Sequence, residues 1–325
     1  MWLKVADREK SRGDIILEEV AANQYQALVH PLIVFDSGKF NGLNRHKVDK
    51  VRYFLFRDRK YRFAVCVGQK DDAFFVPFSA PFSTFVSLKE KWRVLQLENT
   101  IECFDTFAAR AGIRYVEIVL PPPIYAESLV SSLQNILLRK GYMVECQELN
   151  FSIRLNFEAM EDYVVSLPSN GKKNLRIARE CDLRLHQCKS IDEKRAAYEI
   201  IKRNREWKGY PLRMNWDQVL ATIAVVKHDF HMVEKDGAGI AAAMVFYVTK
   251  EVAQIIYWGD IPGAAAWKTM NYLACCLVDY YRGKGMKYLD IGPSTEKGVP
   301  NYGLCDFKSS IGCETQAKFV MKKYL

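Results

Sequence analysis

Long apolar runs are absent from this sequence. None approaches the roughly 18 consecutive apolar residues that a membrane span needs. The first ten residues, Met1-Trp2-Leu3-Lys4-Val5-Ala6-Asp7-Arg8-Glu9-Lys10, hold no apolar core and no small-residue cleavage site, so they do not read as a secretory signal. Zinc-type cysteine spacing is also missing. Nine cysteines occur, but none forms Cys-x-x-Cys and no histidine pair stands at zinc spacing to them. The odd number and the placement of several in apolar runs fit a reducing cytoplasm, where free cysteine acts as a small hydrophobe. Histidine is scarce, with five in all. His30, His46 and His186 are isolated, and His228 and His231 alone, at an expected helix-to-strand junction, do not make a metal site. No Ser-His-Asp order, P-loop or dinucleotide fingerprint appears. The expectation is a chain with no metal site and no resident cofactor.

What is present is ordinary globular composition: 325 residues, 49% apolar, 13% aromatic and 26% charged, enough for two domains. The net charge of +9 is unevenly spread. Between Asn170 and Asn215 lie 13 Lys/Arg against six Asp/Glu, while most of the chain is close to neutral. Such a segment attracts phosphate on a nucleotide-type donor, a nucleic acid or an anionic acceptor, and is otherwise a solvated helix face.

One repeat stands out. Ala111-Gly112-Ile113-Arg114-Tyr115-Val116-Glu117-Ile118 matches Lys284-Gly285-Met286-Lys287-Tyr288-Leu289-Asp290-Ile291 in kind. Each copy ends a helix at glycine, enters a strand and stops at proline, Pro121 in one half and Pro293 in the other. Amphipathic helices precede both, through Leu97, Ile101, Phe104 and Ala108 in one and Met270, Leu273, Leu277 and Tyr281 in the other. Before each helix come two strand-like runs joined by a polar turn: Tyr61–Val67 with Ala73–Phe78, and Ile240–Val248 with Val252–Trp258. The reading is an α/β (α+β) chain with a mixed sheet and helices on its faces, duplicated into halves 1–155 and 156–325.

Several motifs lie on this frame. Leu167-Pro168-Ser169-Asn170-Gly171-Lys172-Lys173-Asn174-Leu175-Arg176-Ile177-Ala178 gives a short helix, a break and a basic helix. Gly303-Leu304-Cys305-Asp306-Phe307-Lys308-Ser309-Ser310-Ile311-Gly312 carries Phe-Lys with Gly four residues on, and Ala317–Met321 follows as a strand. Trp207-Lys208-Gly209-Tyr210-Pro211, Asp290-Ile291-Gly292 and Ala80-Pro81-Phe82 lie between and before them. In this order the motifs resemble the Fem-type transferases of the GNAT-like N-acyltransferase superfamily, over about Ala64 to Lys318. The resemblance implies two tandem GNAT-like halves, each a mixed, mostly antiparallel sheet flanked by helices, with substrate in the groove between them. It implies transfer of an acyl or aminoacyl group to an amine, with an acceptor-side first half that lacks a donor site and a second half that is catalytic. The acceptor is a small or sugar-linked amine, and the co-substrate is acyl-CoA or an aminoacyl-tRNA, so tRNA is a possible partner. A catalytically inactive module that binds an anionic ligand is the other-class alternative.

Acyl transfer needs a deprotonated amine and a stabilised oxyanion. Spacing alone leaves Lys308 as a surface lysine on an edge strand; the Phe-Lys motif makes it the first choice for the oxyanion. It is expected just before a strand, opposite a buried Phe307. Asp290 and Tyr257 end strands, where sites commonly lie, with a turn cap and a core ring as their alternatives. The usual acetyl-CoA loop is missing, and Gly263-Ala264 stand at the expected start of the central helix in its place. Lys172, Lys173 and Arg176 are the remaining candidates for donor phosphate. Arg203, Arg205, Tyr210 and Phe82 are the candidates for acceptor binding.

Overall fold

A computed structural model describes residues 15–325. Its backbone is a thirteen-stranded mixed sheet with helices on both faces. The first half supplies β1 (Ile16–Val20), β2 (Lys50–Arg57), β3 (Tyr61–Lys70), β4 (Ala73–Val76), β5 (Tyr115–Val119) and β6 (Met143–Arg154). The second supplies β7 (Arg184–Cys188), β8 (His228–Lys235), β9 (Ala238–Tyr247), β10 (Val252–Asp260), β11 (Tyr288–Pro293) and β12 (Glu314–Tyr324). A short strand, Val86–Ser87, adds to β3. The order across the sheet is β1-β2-β3-β4-β5-β12-β6-β11-β10-β9-β8-β7.

That order is a duplication read outward from the centre. β4 runs parallel to β5 and β10 parallel to β11, and the remaining neighbours are antiparallel. Even the register repeats: Tyr115 faces the first residue of β4, and Tyr288 faces the first residue of β10. Each half sends its last strand into the other. β12 lies against β5, and β6 lies against β11. Tyr324 stands opposite Tyr115 as Arg154 stands opposite Tyr288, so the two exchanged strands correspond residue by residue. The cross-strand pair Glu148 and Lys318 therefore straddles the pseudo-twofold axis.

The helices repeat as well. α1 (Ala22–Leu28) and α2 (Gly38–Leu43) fill the interval between β1 and β2; α3 (Val94–Arg110) and α4 (Glu127–Arg139) flank β5. After the inserted pair α5 (Met160–Ser166) and α6 (Ser169–Arg179) come α7 (Ile191–Lys208) and α8 (Trp216–Ile223), and then α9 (Thr269–Gly283) and α10 (Tyr302–Ser310), which flank β11. Gly112 and Gly285, at φ +74° and +73°, end α3 and α9 in the left-handed region that costs glycine nothing. One core in each half joins its central helix to the sheet, through Leu97, Ile101 and Phe104 in one and Leu273, Leu277 and Val278 in the other. A third core on the opposite face joins the halves, with Phe35, Phe82 and Tyr125 packed into the same cluster as Ile201, Val219 and Tyr257.

Three expectations are corrected here. Lys308 lies inside α10, one element before β12, because Asn301 caps a helix through its side chain to Leu304 N–H at 3.0 Å. His228 and His231 lie within β8. Gly263-Ala264 lead into a 3₁₀ turn, Ala264–Trp267, and α9 begins only at Thr269. Among the described residues, no helix is long and apolar enough to cross a membrane, and no group of three or more His, Cys, Asp or Glu could hold a metal ion.

Candidate functional site

Parallel strands that splay apart open a fork at their carboxyl ends, the usual place for a site in such sheets. In the first half, the fork of β4 and β5 is filled by the chain itself. Ser83 N–H donates to Val119 O at 2.9 Å, and Phe82 packs against Tyr125 with ring centroids 4.5 Å apart. The buried Asp36 carboxylate holds this plug, accepting from Ser83 Oγ at 2.6 Å, Thr84 Oγ1 at 2.8 Å and Thr84 N–H at 3.1 Å. Burial outweighs these bonds and pushes its pKa up to about 6. Phe82 is thus a core residue, which corrects its expected role in acceptor binding.

In the second half, the carbonyl equivalent to Val119 O is Gly292 O, and it meets an ammonium. Lys308 Nζ donates to Gly292 O at 2.8 Å, Pro293 O at 3.0 Å and Ile291 O at 3.1 Å. Gly292, at φ +74°, bends β11 so that these consecutive carbonyls converge. Lys308 is buried, and its Nζ also lies 5.3 Å from the Phe151 ring centroid. Burial lowers its pKa to about 8 against the pull of Cys313 and Asp290.

Asp290 ties the halves together. It is fully buried and accepts from Tyr125 OH at 2.5 Å, Asn150 Nδ2 at 2.7 Å, Gln254 Nε2 at 2.9 Å and Gly292 N–H at 2.9 Å. These partners come from the loop after β5, from β6, from β10 and from its own strand. With four donors already on its two oxygens, Asp290 is a tie between halves and not the free base expected of it.

Arg205, Tyr210 and Tyr257 do come together. The Arg205 guanidinium carbon lies 5.2 Å from the Tyr257 ring centroid and 5.8 Å from that of Tyr210. Its Nε is buried without a hydrogen-bond partner among the described residues, and desolvation lowers its pKa. Arg213 N–H donates to Tyr257 OH at 3.3 Å, and Asn301 Nδ2 donates to Tyr210 OH at 3.3 Å, which links this cluster to the start of α10. Arg203 is separated from it. Two residues on a helix are about 200° apart, and Arg203 faces solvent.

The expected donor seat departs furthest from prediction. Ala264 N–H already donates to Ile261 O at 3.1 Å, and Ala264 is buried, so this amide is not free for pyrophosphate. Lys172, Lys173 and Arg176 are exposed on α6, while Leu175 and Ala178 point inward. Gly171 sits against α10: a side-chain carbon there would lie 2.0 Å from Ser310 O. The basic helix is thus fastened to the helix that carries Lys308.

Several residues that sequence reading missed join the site. Lys318 is buried on β12, its pKa lowered by burial, with Glu148, Asp290 and Arg213 as charged neighbours. Lys47, near Arg213, donates to Ser79 Oγ at 2.7 Å. A lysine inside the apolar run Ala317–Met321 was the available signal for Lys318; Arg213 and Lys47 carried none. Together these residues line the seam between the halves with an excess of positive charge.

No family model and no curated protein sequence matches the chain. Solved structures do. FemX shares 11% identity at a TM-score of 0.70, over 95% of this chain and 97% of that one. The C-terminal domain of a putative lysylphosphatidylglycerol synthetase from Agrobacterium fabrum shares 13% at 0.61, over 93% and 92%. L-PGS from Bacillus licheniformis shares 11% at 0.57, over 97% and 93%. At such identities the likeness is one of fold, and it extends over nearly the whole chain: the chain shares the fold of FemX and of the two synthetase structures.

Proposed function

We propose that the chain is a transferase that moves an acyl or aminoacyl group to an amine in the seam between its halves. The observation that carries this reading is the buried Lys308 ammonium at the carboxyl end of β11, beside the Arg205–Tyr257–Tyr210 cluster. A fold shared with FemX and with a putative lysylphosphatidylglycerol synthetase domain supports it. The amine attacks the acyl carbonyl carbon, and the electron pair of the C=O bond moves onto oxygen. Collapse of this tetrahedral intermediate expels the donor's thiol or hydroxyl leaving group, which takes up a proton as the amine loses one. Lys308 would offset the oxyanion by charge and by lending one of its three N–H groups, now bonded to carbonyls. Loss of a single oxyanion donor costs about 10²–10³ in turnover.

The donor is proposed as an acyl-CoA-type thioester, with an aminoacyl-tRNA as second reading. The second reading is favoured by two observations: the Ala264 amide is occupied, and the exposed cations of α6 are fastened to the Lys308 helix through Gly171. Arg205, Arg213 and Lys318 would hold an anionic part of either substrate.

The test is a transfer assay that supplies acetyl-CoA, longer acyl-CoAs or aminoacyl-tRNA against a panel of amines, run with wild type and Lys308→Met. Transfer from one donor class, reduced about 10²–10³-fold in turnover by the substitution, supports the proposal. Equal turnover by a folded Lys308→Met variant removes Lys308 from the mechanism. Ligand binding without transfer from any donor leaves the inactive-module reading. Charge reversal at Lys172, Lys173 and Arg176 separates the donors: it should weaken tRNA binding and flatten its salt dependence, and leave acyl-CoA binding unchanged.

A further inference from the structure

A cavity of about 680 Å³ lies in the first half, away from Lys308, between the α1–α2 connection, the Val86–Trp92 segment and the first turn of α4. This is within the usual size range of small-molecule sites. Leu28, Leu32, Ile33, Val86, Trp92 and Leu129 give it apolar walls. Leu28 and Leu32 stay 41% and 56% exposed, so its mouth is an unfilled apolar surface. Trp92 offers a ring beside it, edge-on to Phe63 with centroids 6.3 Å apart.

The charges of this cavity oppose those of the chain. Its lining carries Asp36, Glu90 and Glu127 against Lys89 and His30, in a protein of net charge +9. Asp36 is the deepest of them, only 2% exposed. Among the described residues its Oδ2 accepts a single bond, from Thr84 Oγ1, and so keeps acceptor capacity. A buried carboxylate held up near 6 by desolvation gains from a cation brought beside it. An anionic ligand would meet three carboxylates. An uncharged apolar ligand would leave them unanswered.

We propose that this cavity is a binding site for an organic ammonium with an apolar body: an aliphatic or aryl-alkyl amine. The hydrocarbon lies against Leu32 and Trp92, and the ammonium lies toward Asp36 and Glu127. The site shares no residue with the Lys308 cluster and stands whether or not transfer occurs there.

Titration calorimetry of the 325-residue chain with n-octylamine, octanol and octanoate tests this. Octylamine is expected to saturate one site per chain, at least tenfold tighter than octanoate. Leu32→Arg places a long cation in the mouth from an exposed position, and should raise the octylamine Kd at least tenfold with an unchanged melting temperature. Glu127→Gln, also exposed, should weaken octylamine and leave octanol unaffected. Octanoate binding as tightly as octylamine, no saturable octylamine binding, or an unchanged Kd in Leu32→Arg would each overturn the assignment.

Discussion

Lys308 shows how a residue's environment separates stability from activity. An ordinary lysine titrates near 10.4, whereas burial brings this one down to about 8. Between about pH 8 and pH 10.5 the unfolded chain therefore holds a proton on Lys308 that the folded chain has lost. Stability rises with pH wherever the unfolded state binds more protons, so the contribution of Lys308 to folding improves across that window. The charge needed for an oxyanion moves the other way. Turnover is expected to fall as pH rises through about 8, while the melting temperature does not fall with it. A pH–rate profile beside a pH–melting profile checks this, and a shared decline would show that loss of fold and not loss of charge sets the alkaline limb. Asp290 gives the contrasting case. Replacing Tyr125 by Phe removes one of its four donors and should cost about 1–3 kcal/mol, read as a lower denaturation midpoint. A stability equal to wild type would mean the phenol is replaced by water. The sequence exposed both Lys308 and Asp290 through their motifs, yet it could not show that Asp290 is saturated with donors. Three of those donors, Tyr125, Asn150 and Gln254, come from distant parts of the chain. Phe82 misled for a related reason: an aromatic in a loop reads as a contact residue until Tyr125 and Phe35 close around it.

At the scale of the element, helix ends and close approaches decide the site. The Asn301 side chain starts α10 and so turns Lys308 toward the bend of β11. A strand through the same residues would have sent Lys308 elsewhere. Alternation of Phe307 and Lys308 was the wrong period to apply, because a nine-residue helix with one flanking cap leaves a weak pattern. The longer elements were legible. The steps of three and four in α3 and α9 identify those helices, and Gly112 and Gly285 place their C-terminal ends to within two residues. The contact of α6 with α10 was not legible, since a glycine in a basic helix carries no sign of what it touches. It yields a sharp expectation. In Gly171→Ala the new methyl would overlap Ser310 O, a backbone atom that cannot rotate away. Overpacking of this kind costs about 1–3 kcal/mol, and here it pushes directly on the helix of Lys308. The variant should lower both the melting temperature and the turnover of the transfer assay, while Gly283→Ala, with open space around it, should leave both nearly unchanged. A Gly171→Ala protein with wild-type melting and turnover would show that α6 can move off α10 freely.

At the scale of the molecule, the repeat foretold two matching halves, and the matching registers of β5 and β11 are its physical expression. It did not foretell the exchange of β6 and β12. A local pattern records that a strand exists and which face it buries, but not which neighbour it joins, because pairing partners are chosen by the whole sheet. The exchange has a consequence for folding. A fragment 1–155 would contain β6 without either of its neighbours, β12 and β11, and β5 without β12; a fragment 156–325 would contain β12 without either of its neighbours, β5 and β6, and β11 without β6. Each would expose three unpaired strand edges, a template for aggregation, and the third core that joins Phe35 and Tyr125 to Val219 and Tyr257 would be split between them. The intact chain is therefore expected to unfold in one cooperative transition by heat or urea, followed equally by near- and far-ultraviolet circular dichroism. Either fragment alone should be insoluble or lack near-ultraviolet signal. The two co-expressed should assemble into a one-to-one complex, since cutting between Leu155 and Asn156 breaks the chain after β6 and before α5 without removing any strand from the sheet. Two resolved transitions in the intact chain, or a fragment that folds alone with native signal, would mean that the exchanged strands add to two self-sufficient domains and do not make them one.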